Sequence, residues 1–492
     1  MRYKILSALA VLALGGVACS NITDINSNPN GPVNVPPPSI LPAALQNVLT
    51  GQVFNADFGY NVRYGGTWVQ HFAMIQYPDE DRYIVRSGTC GGCGMYFGAA
   101  EDFKRMVDEG DTSSTPNWAA VGRIMKAYTF SLMTEAMGDI PYSQALQGES
   151  DSMRQPVYDS QQSIYDSLFS ELTKASGEID TSKSAVGFSN GDLVYDGDMA
   201  RWQRLANSLR LRLAIHIQKA DPTKAQAEAL AAFNAGVFTS NGDNAGLSYL
   251  SAAPDQNPVY TNHLTRDDYG MSATLVDSML SLNDPRLPIY AAPNDTGAYV
   301  GRPNGLLSTS PQAPAAKYVS RFGDYWRTTP AATMYFMTYA EVLLLEAEAA
   351  ERSWIPGGSA QAGTYYADAI TASMQQWGID GATIATYLAQ SSVAYAGGPK
   401  GLDQIATQLW IQLFMNGEEA WTEWRRTQWP PLMPGADAQV NAGVLNGIPE
   451  RMPYDDQEAV LNSENLDAAV ARQGFPASND LFTPLWFTGR AP

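Results

Sequence analysis

The chain has 492 residues, of which 45% are hydrophobic and only 16% are charged. This balance is typical of a globular protein with one or more large cores and excludes an intrinsically disordered chain. Fifty acidic residues against 31 basic ones give a formal net charge of −19, and no basic stripe stands out along the sequence. Because nucleic-acid binding needs clustered cations to neutralise phosphates, the composition disfavours a nucleic acid as partner.

The N-terminus has the pattern of an export signal. Two basic residues precede the apolar run Ile5 to Val17, which is too short for a permanent membrane-spanning helix, and small residues lead up to Cys19. The alternatives are a lipoprotein signal and an ordinary secretory signal that is cut near Ala18. A cysteine at the expected cleavage point favours the lipoprotein signal. We therefore expect this signal over residues 1–19, with Cys19 lipidated and anchoring the protein to a membrane surface without crossing it.

Residues 20–39 are rich in Asn, Ser and Pro and predict a flexible tether, followed by a single body over residues 40–492. The body is predicted to be mainly α, because apolar residues recur in it at three- and four-residue steps. Helices are predicted over residues 41–54, 61–75, 118–137, 160–179, 199–219, 223–235, 273–282, 337–352, 365–377 and 404–426.

The clearest of these helices spans Met337 to Arg352, which is Ala, Leu and Glu nearly throughout, and Pro356 with the glycines after it ends the helical run. One broad face is apolar or small, whereas Glu341, Glu348 and Glu351 are predicted to point outward. With the next predicted helix it forms an αα-hairpin, and alanine-rich hairpins are the unit of tetratricopeptide-like stacks.

The composition changes over residues 236–330, which are rich in Pro, Asn, Gly, Ser and Tyr. The segment is too long for a linker and too aromatic for disorder. We interpret it as a loop-rich subdomain that packs on the helices and carries the ligand region, since binding residues are concentrated on loops.

Cys90 and Cys93 form a Cys-x-x-Cys pair within a glycine-rich stretch. Such a pair is a redox site, half of a zinc site or a tight disulfide. The chain offers no second cysteine pair for zinc and no visible βαβ context for a thioredoxin-like site. Export to an oxidising compartment favours a local disulfide between them.

Aromatic rings next to carboxylates and amides are the groups that bind sugars or peptides, through ring stacking and hydrogen bonds. The aromatic and acidic residues on loops or at helix ends are therefore candidates for ligand binding. For each of them, packing in the core remains an alternative. The candidate ligand-binding residues are Trp68, Tyr77, Asp79, Asp81, Tyr83, Tyr96, Tyr269, Tyr325 and Trp326.

Several motifs recur in an order and spacing that resemble one family. They are the stretch after Cys19 over residues 24–30, Gly138-Asp139-Ile140-Pro141-Tyr142, Tyr195-Asp196-Gly197-Asp198-Met199, the helix over residues 337–352, Asn416-Gly417-Glu418-Glu419-Ala420-Trp421, and residues 448–454. Together they resemble the SusD/RagB family of outer-membrane nutrient-binding lipoproteins, over essentially the whole chain.

The resemblance implies a stack of about four tetratricopeptide-like helix pairs with a loop-rich ligand region. It also implies a protein on the cell surface that captures oligosaccharides or peptides and delivers them to a TonB-dependent outer-membrane transporter of the SusC type. The sequence leaves glycan and peptide ligands open. The alternative function is a helical-repeat adaptor that binds other proteins and has no small-ligand site.

An enzyme is a third alternative, since Glu418, Glu419 and Glu423, or Asp79 with Asp81, could supply an acid/base pair for glycoside hydrolysis. However, Glu419 and Glu423 lie one turn apart beside Arg426, which is the spacing of a solvated helix face. Nothing in the sequence pairs a positioned base with an orienting partner, so we expect no catalysis.

Calcium is an alternative at two acidic loops, residues 79–81 and 196–198. Neither loop has the spacing of an EF-hand, so we expect no cofactor.

Overall fold

The computed structural model describes residues 35–53, 60–86, 93–113, 115–147, 153–183, 191–440 and 447–491. The predicted signal with Cys19, the tether as far as residue 34, and Cys90 lie outside the described residues, as does the side chain of Cys93. The lipid anchor and the disulfide therefore remain predictions.

Helices dominate the described part of the chain, which confirms the mainly α prediction. The longer ones are α1 (Pro37–Leu45), α2 (Glu101–Thr112), α3 (Pro116–Met137), α4 (Gln161–Glu178), α5 (Met199–His216), α6 (Pro222–Ala235), α7 (Pro258–Thr265), α8 (Ala273–Ser281), α9 (Tyr339–Glu351), α10 (Gly358–Gln376), α11 (Gly381–Leu388), α12 (Gly398–Gln412), α13 (Gly417–Thr427) and α14 (Ser463–Arg472).

Shorter helical turns connect these helices. They are Gln46–Val53, Tyr60–Gly65, Gly66–Trp68, Glu80–Arg82, Cys93–Met95, Tyr96–Ala100, Asn241–Asp243, Leu287–Tyr290, Ala316–Tyr318, Asp324–Arg327, Glu458–Leu461 and Trp486–Thr488.

Within the described residues, eight short strands form four antiparallel pairs, β1 with β5, β2 with β3, β4 with β8 and β6 with β7. Their bounds are β1 (Phe72–Met74), β2 (Ile140–Pro141), β3 (Tyr158–Asp159), β4 (Ala245–Leu247), β5 (Tyr269–Met271), β6 (Ala291–Ala292), β7 (Arg321–Phe322) and β8 (Met334–Met337).

The helices pack as antiparallel neighbours in the manner of a helical repeat. Helix α2 packs on α3, α4 on α5, α9 on α10 and α12 on α13, while α9 also contacts α5 and α12. Helix α3 illustrates the local causes, because Pro116 stands in its first turn and Gly138, at φ +88°, ends it. Both faces of α3 are buried, so it lies inside the stack and not on its surface.

Two predicted helices are interrupted or cut short in the structure. The predicted helix over residues 404–426 is interrupted at residues 413–416 and forms α12 and α13. The predicted helix over residues 61–75 ends at Trp68, and β1 follows it. The reason is tertiary, since β1 pairs with β5 and so attaches the N-terminal segment to the region 236–330. The tail that follows α13 contains α14.

Helix α9 is more deeply buried than predicted. Thr338 and Glu341 form a capping box at its start, and Glu341 and Glu348 are at most 4% exposed. The prediction that these two side chains point outward is wrong, because α5, α10 and α12 surround α9 and leave no wide face to water. Glu351 is partly exposed, and Tyr395 donates a hydrogen bond of 2.7 Å to its carboxylate.

Glu346 on the same helix makes stability depend on pH. Burial raises the pKa of its carboxyl to about 8, from 4.5 for an ordinary glutamate. When the pKa of a carboxyl is higher in the folded chain than in the unfolded chain, the free energy of unfolding falls as the pH rises from the unfolded pKa to the folded pKa. We expect Glu346→Gln to raise Tm relative to the wild type at about pH 8 and to leave it unchanged at about pH 4.5, as measured by circular dichroism.

The control for this prediction is Glu109→Gln, which removes an exposed glutamate from α2. Its melting temperature should follow that of the wild type at both pH values. If the melting temperature of Glu346→Gln also matched that of the wild type at both pH values, burial would not raise the pKa of Glu346.

Among the described residues, none of the helices combines the length and the apolar character needed to cross a membrane.

Candidate functional site

A cavity of about 510 Å³ opens between the turn that precedes α2, the β2–β3 pair and the turn Glu458–Leu461. It brings together segments that are more than 300 residues apart in sequence. The cavity is lined by Tyr96, Phe97, Glu101, Arg105, Met137, Ile140, Pro141, Gln144, Ala145, Leu146, Met153, Arg154, Pro156, Tyr158, Tyr454, Asp455, Gln457, Glu458 and Leu461.

Three tyrosines in this wall use their hydroxyls within the protein. The hydroxyl of Tyr96 donates to the Pro141 carbonyl (2.7 Å) and that of Tyr158 donates to the Glu458 carboxylate (2.8 Å). The hydroxyl of Tyr454 donates to a main-chain carbonyl at 2.7 Å, and burial raises its pKa to about 12, so it stays protonated. The three rings therefore present apolar surface to the cavity.

Phe97 lies at the mouth of the cavity with 88% of its surface exposed. An exposed aromatic ring beside a concave surface is a platform on which the apolar face of a planar or ring-shaped ligand can stack. Charged side chains stand in the same wall, where Glu101 and Arg105 form an ion pair of 3.7 Å and Arg154 is exposed. The arrangement is thus apolar inside and polar at the edge.

Leu146 has a strained backbone in this wall, with φ +61°. A bulky L-residue rarely adopts the left-handed region, and such strain is retained where the surrounding structure or the function requires it. Here it holds a partly buried leucine side chain against the cavity, five residues after the end of β2.

Five of the nine sequence-predicted ligand residues lie in the core, each at most 7% exposed. They are Trp68, Asp81, Tyr83, Tyr269 and Trp326. The Trp68 indole donates to the Glu80 carbonyl (2.9 Å) and packs edge-on against Trp421. The four aromatic rings have no exposed face on which a ligand could stack, and the Asp81 carboxylate is buried with them. All five side chains therefore belong to the interior.

The other four predicted residues are placed in different regions. Tyr96 lines the cavity. Tyr77 is exposed, with the Arg266 guanidinium 5.4 Å from its ring centre, and Asp79 is partly exposed in the same loop. Tyr325 is half-buried against Trp326 and Trp377 and does not line the cavity. The structure therefore does not bring the nine residues together.

The sequence reasoning missed most of the cavity wall, namely Phe97, Leu146, Tyr158, Tyr454 and the charged residues around them. One local signal was available for Phe97, which follows Tyr96 in a glycine-rich stretch just before a helix. Ile140, Pro141 and Tyr454 lie in the motifs over residues 138–142 and 448–454, but nothing in the sequence places these motifs in one wall. The β2–β3 pair and the turn after Tyr454 meet only through the tertiary fold.

Two of the carboxylates in the loops proposed for calcium, those of Asp81 and Asp198, are engaged by the protein itself. Asp198 caps α5 by accepting from the amides of Ala200 and Arg201. Asp81 accepts from the Met74 amide (3.0 Å) and from the Asn304 side chain (2.7 Å). Burial raises the pKa of Asp81 to about 6.

A second cluster of titratable groups surrounds His216 inside the helix stack. Its Nδ1 lies 2.8 Å from a carboxylate oxygen of Glu135, and its Nε2 lies 2.9 Å from Glu419 and 3.3 Å from Glu423. Arg426 bridges Glu423 and Glu348, with bonds of 2.7 and 2.8 Å to the latter. Glu419 and Glu423 are thus buried, and the prediction of a solvated face is wrong.

His216, Glu419 and Glu423 hold potential metal ligands within 4.8 Å of one another. Burial alone would lower the pKa of His216, but Glu419 and Glu135 raise it well above the ordinary value. A doubly protonated ring donates from both nitrogens, to Glu135 on one side and to Glu419 on the other. The imidazolium is itself the cation of this cluster, which we interpret as structural.

Comparisons with known proteins agree with this fold. A family described as starch-binding and associating with the outer membrane, the SusD-like family, matches residues 29–455. A solved chitin-binding protein is 28% identical, with a TM-score of 0.79, covering 92% of this chain and 99% of its own.

Two further solved structures are similar at 25% identity. A chitin-binding SusD homolog from Flavobacterium johnsoniae has a TM-score of 0.79 and covers 93% of this chain and 99% of its own. A SusD homolog from Bacteroides uniformis has a TM-score of 0.76 and covers 92% and 99%. Among curated proteins, none matches the chain. Because the family match spans most of the sequence, the chain belongs to the SusD-like family.

Proposed function

We propose that this protein binds an oligosaccharide nutrient in the cavity beside Phe97 and does not alter it. The observation that carries the proposal is the exposed Phe97 ring at the mouth of a 510 Å³ cavity with polar groups at its edge. Similar proteins that bind chitin, and the starch-binding description of the family, support a glycan over a peptide.

We further propose that the protein is anchored by a lipid on Cys19 at the cell surface and delivers its ligand to a TonB-dependent transporter of the SusC type. The outer-membrane association in the family description supports this location. Isolation of the native protein with a large β-barrel transporter would support the partnership. Recovery from the inner membrane without such a partner would contradict it.

Replacing Phe97 by alanine is expected to weaken glycan binding. Loss of an exposed stacking ring costs about 1–2 kcal/mol, or roughly a five- to thirtyfold increase in Kd. The measurement is isothermal titration calorimetry of the protein without residues 1–19 against starch, chitin and cellulose oligomers. Because Phe97 is exposed, its replacement should leave Tm unchanged.

The matched control is Tyr318→Ala, which removes another exposed aromatic ring that does not line the cavity. It should leave Kd unchanged. An equal loss of glycan affinity in both variants would contradict the cavity as the binding site. If the wild type bound no glycan and no peptide, the helical-repeat adaptor would be the better explanation, and the burial of Trp68 and Trp326 agrees with that alternative.

A further inference from the structure

We infer that the cavity selects glycans that carry acyl substituents, such as N-acetyl or O-acetyl groups, over glycans with free hydroxyls at the same positions. This inference rests on the proposed glycan binding and narrows its ligand class. The inference depends on two neighbouring features of the cavity. Its wall contains aliphatic side chains and three tyrosines whose hydroxyls donate to the protein, and the exposed ring of Phe97 lies beside this wall.

The inner wall offers few polar groups to a ligand. Met137 and Ile140 are almost fully buried behind it, and Leu146, Met153 and Leu461 add aliphatic surface from three separate segments. The hydroxyls of the three tyrosines donate to protein acceptors at 2.7–2.8 Å. The tyrosine oxygens can still accept a hydrogen bond, but a sugar hydroxyl placed against the aliphatic side chains would lose its water without gaining a partner, which lowers affinity.

An acyl group meets the same surface differently. Its methyl group gains affinity when aliphatic side chains remove it from water, by about fourfold for each methyl that is fully buried. Its carbonyl and amide or ester atoms can stay at the edge, where Arg154 and Gln457 are exposed. The ring that carries the acyl group can then stack on Phe97. A ligand that has both a sugar ring and an acyl group therefore contacts both Phe97 and the aliphatic wall.

The charges around the cavity oppose an acidic sugar as the ligand. Glu101, Asp455 and Glu458 outnumber Arg105 and Arg154 in the wall, and the whole chain carries a formal net charge of −19. Long-range repulsion therefore disfavours polyuronates and sulfated glycans, while a neutral acylated glycan avoids it.

The strain at Leu146 supplies a test that separates selectivity from folding. Asparagine tolerates the left-handed region better than leucine does, so Leu146→Asn is expected to fold at least as stably as the wild type. At the same time it places an amide in the aliphatic wall. Leu146→Met is the matched control, because it keeps an apolar side chain of similar volume.

The experiment compares hexamers that differ only at C2, namely chitohexaose, with an acetamido group, cellohexaose, with a hydroxyl, and the deacetylated glucosamine hexamer. Calorimetry of the whole protein without residues 1–19 should show chitohexaose binding about tenfold or more tightly than cellohexaose, which corresponds to two buried methyl groups. Acetylated xylo-oligosaccharides, before and after alkaline deacetylation, distinguish an O-acetyl ligand from an N-acetyl one.

In Leu146→Asn the preference for chitohexaose over cellohexaose should fall severalfold, and in Leu146→Met it should persist. Leu461→Gln, in the turn Glu458–Leu461, is a second variant that should also lower the preference, and Leu461 is exposed enough to leave folding intact. Equal binding of chitohexaose and cellohexaose, or tightest binding of the glucosamine hexamer, would overturn the acyl selectivity while glycan binding stands. If no glycan bound at all, the proposed function itself would fail.

Discussion

Replacing Arg426 by glutamine is expected to lower the free energy of unfolding by about 3–5 kcal/mol. The Arg426 guanidinium is about 1% exposed and neutralises two buried carboxylates, those of Glu348 on α9 and Glu423 on its own helix α13. Without it, two negative charges remain in the interior with fewer cations near them. The loss therefore reflects the charges left behind and not only the bonds removed.

The measurement is urea unfolding followed by circular dichroism at neutral pH. A matched control is Lys104→Met, which breaks an exposed ion pair with Asp108 one turn away on α2. Exposed pairs of this kind contribute at most about 1 kcal/mol, so the control should unfold close to the wild type. Equal losses in the two variants would contradict the buried role of Arg426.

A double variant identifies the source of the loss. If the Glu348 carboxylate, left with Arg352 alone, is responsible, Glu348→Gln should partly rescue Arg426→Gln. The double variant should then lose less stability than the sum of the two single losses. Strict additivity would show that the two side chains do not interact. Glu423 would keep His216 as a partner in both variants.

The helical scaffold could be predicted from the sequence because its signals are local. The α9 segment is read correctly from Ala, Leu and Glu without Gly or Pro, and its capping box lies in the sequence at Thr338 and Glu341. The order of the motifs then indicated the family, which the match over residues 29–455 confirms.

The exposure of charged side chains could not be predicted in the same way. Glu419, Glu423 and Arg426 have the spacing of a solvated helix face, yet all three are buried. Their partners, His216 on α5 and Glu348 on α9, come from helices far away in sequence. Local spacing is the same for a surface pair and for a buried network, so only tertiary packing separates the two.

The cavity could be predicted only in part for the same reason. The sequence makes Tyr96 a candidate, because an aromatic residue on a predicted loop or at a helix end is a local feature. Trp68 and Trp326 looked similar by that criterion, but the helices and strands around them close over both rings. The walls that make Tyr96 and Phe97 part of a cavity come from the β2–β3 region and from the turn Glu458–Leu461.

Gly417 shows how a sequence motif can have an architectural cause. It begins α13 within the Asn-Gly-Glu-Glu motif, and a Cβ atom there would lie 2.1 Å from the Asn61 carbonyl oxygen and 2.4 Å from the Gly66 nitrogen. The contact is mutual, because a Cβ atom on Gly65 would lie 2.3 Å from the Gly417 carbonyl oxygen. The backbone of α13 therefore approaches the backbone of residues 61–66 too closely for any side chain.

Gly417→Ala is accordingly expected to destabilise the fold by about 3 kcal/mol or more, at the upper end of overpacking effects, because backbone atoms cannot move aside as a flexible side chain can. Urea unfolding measures the loss. The matched control is Gly177→Ala in α4, where a new Cβ meets nothing within 4 Å and should stabilise the helix by about 0.5–1 kcal/mol. A Gly417→Ala protein as stable as the wild type would show that α13 can separate from the N-terminal segment. In that case the close approach would not explain the glycine of the motif.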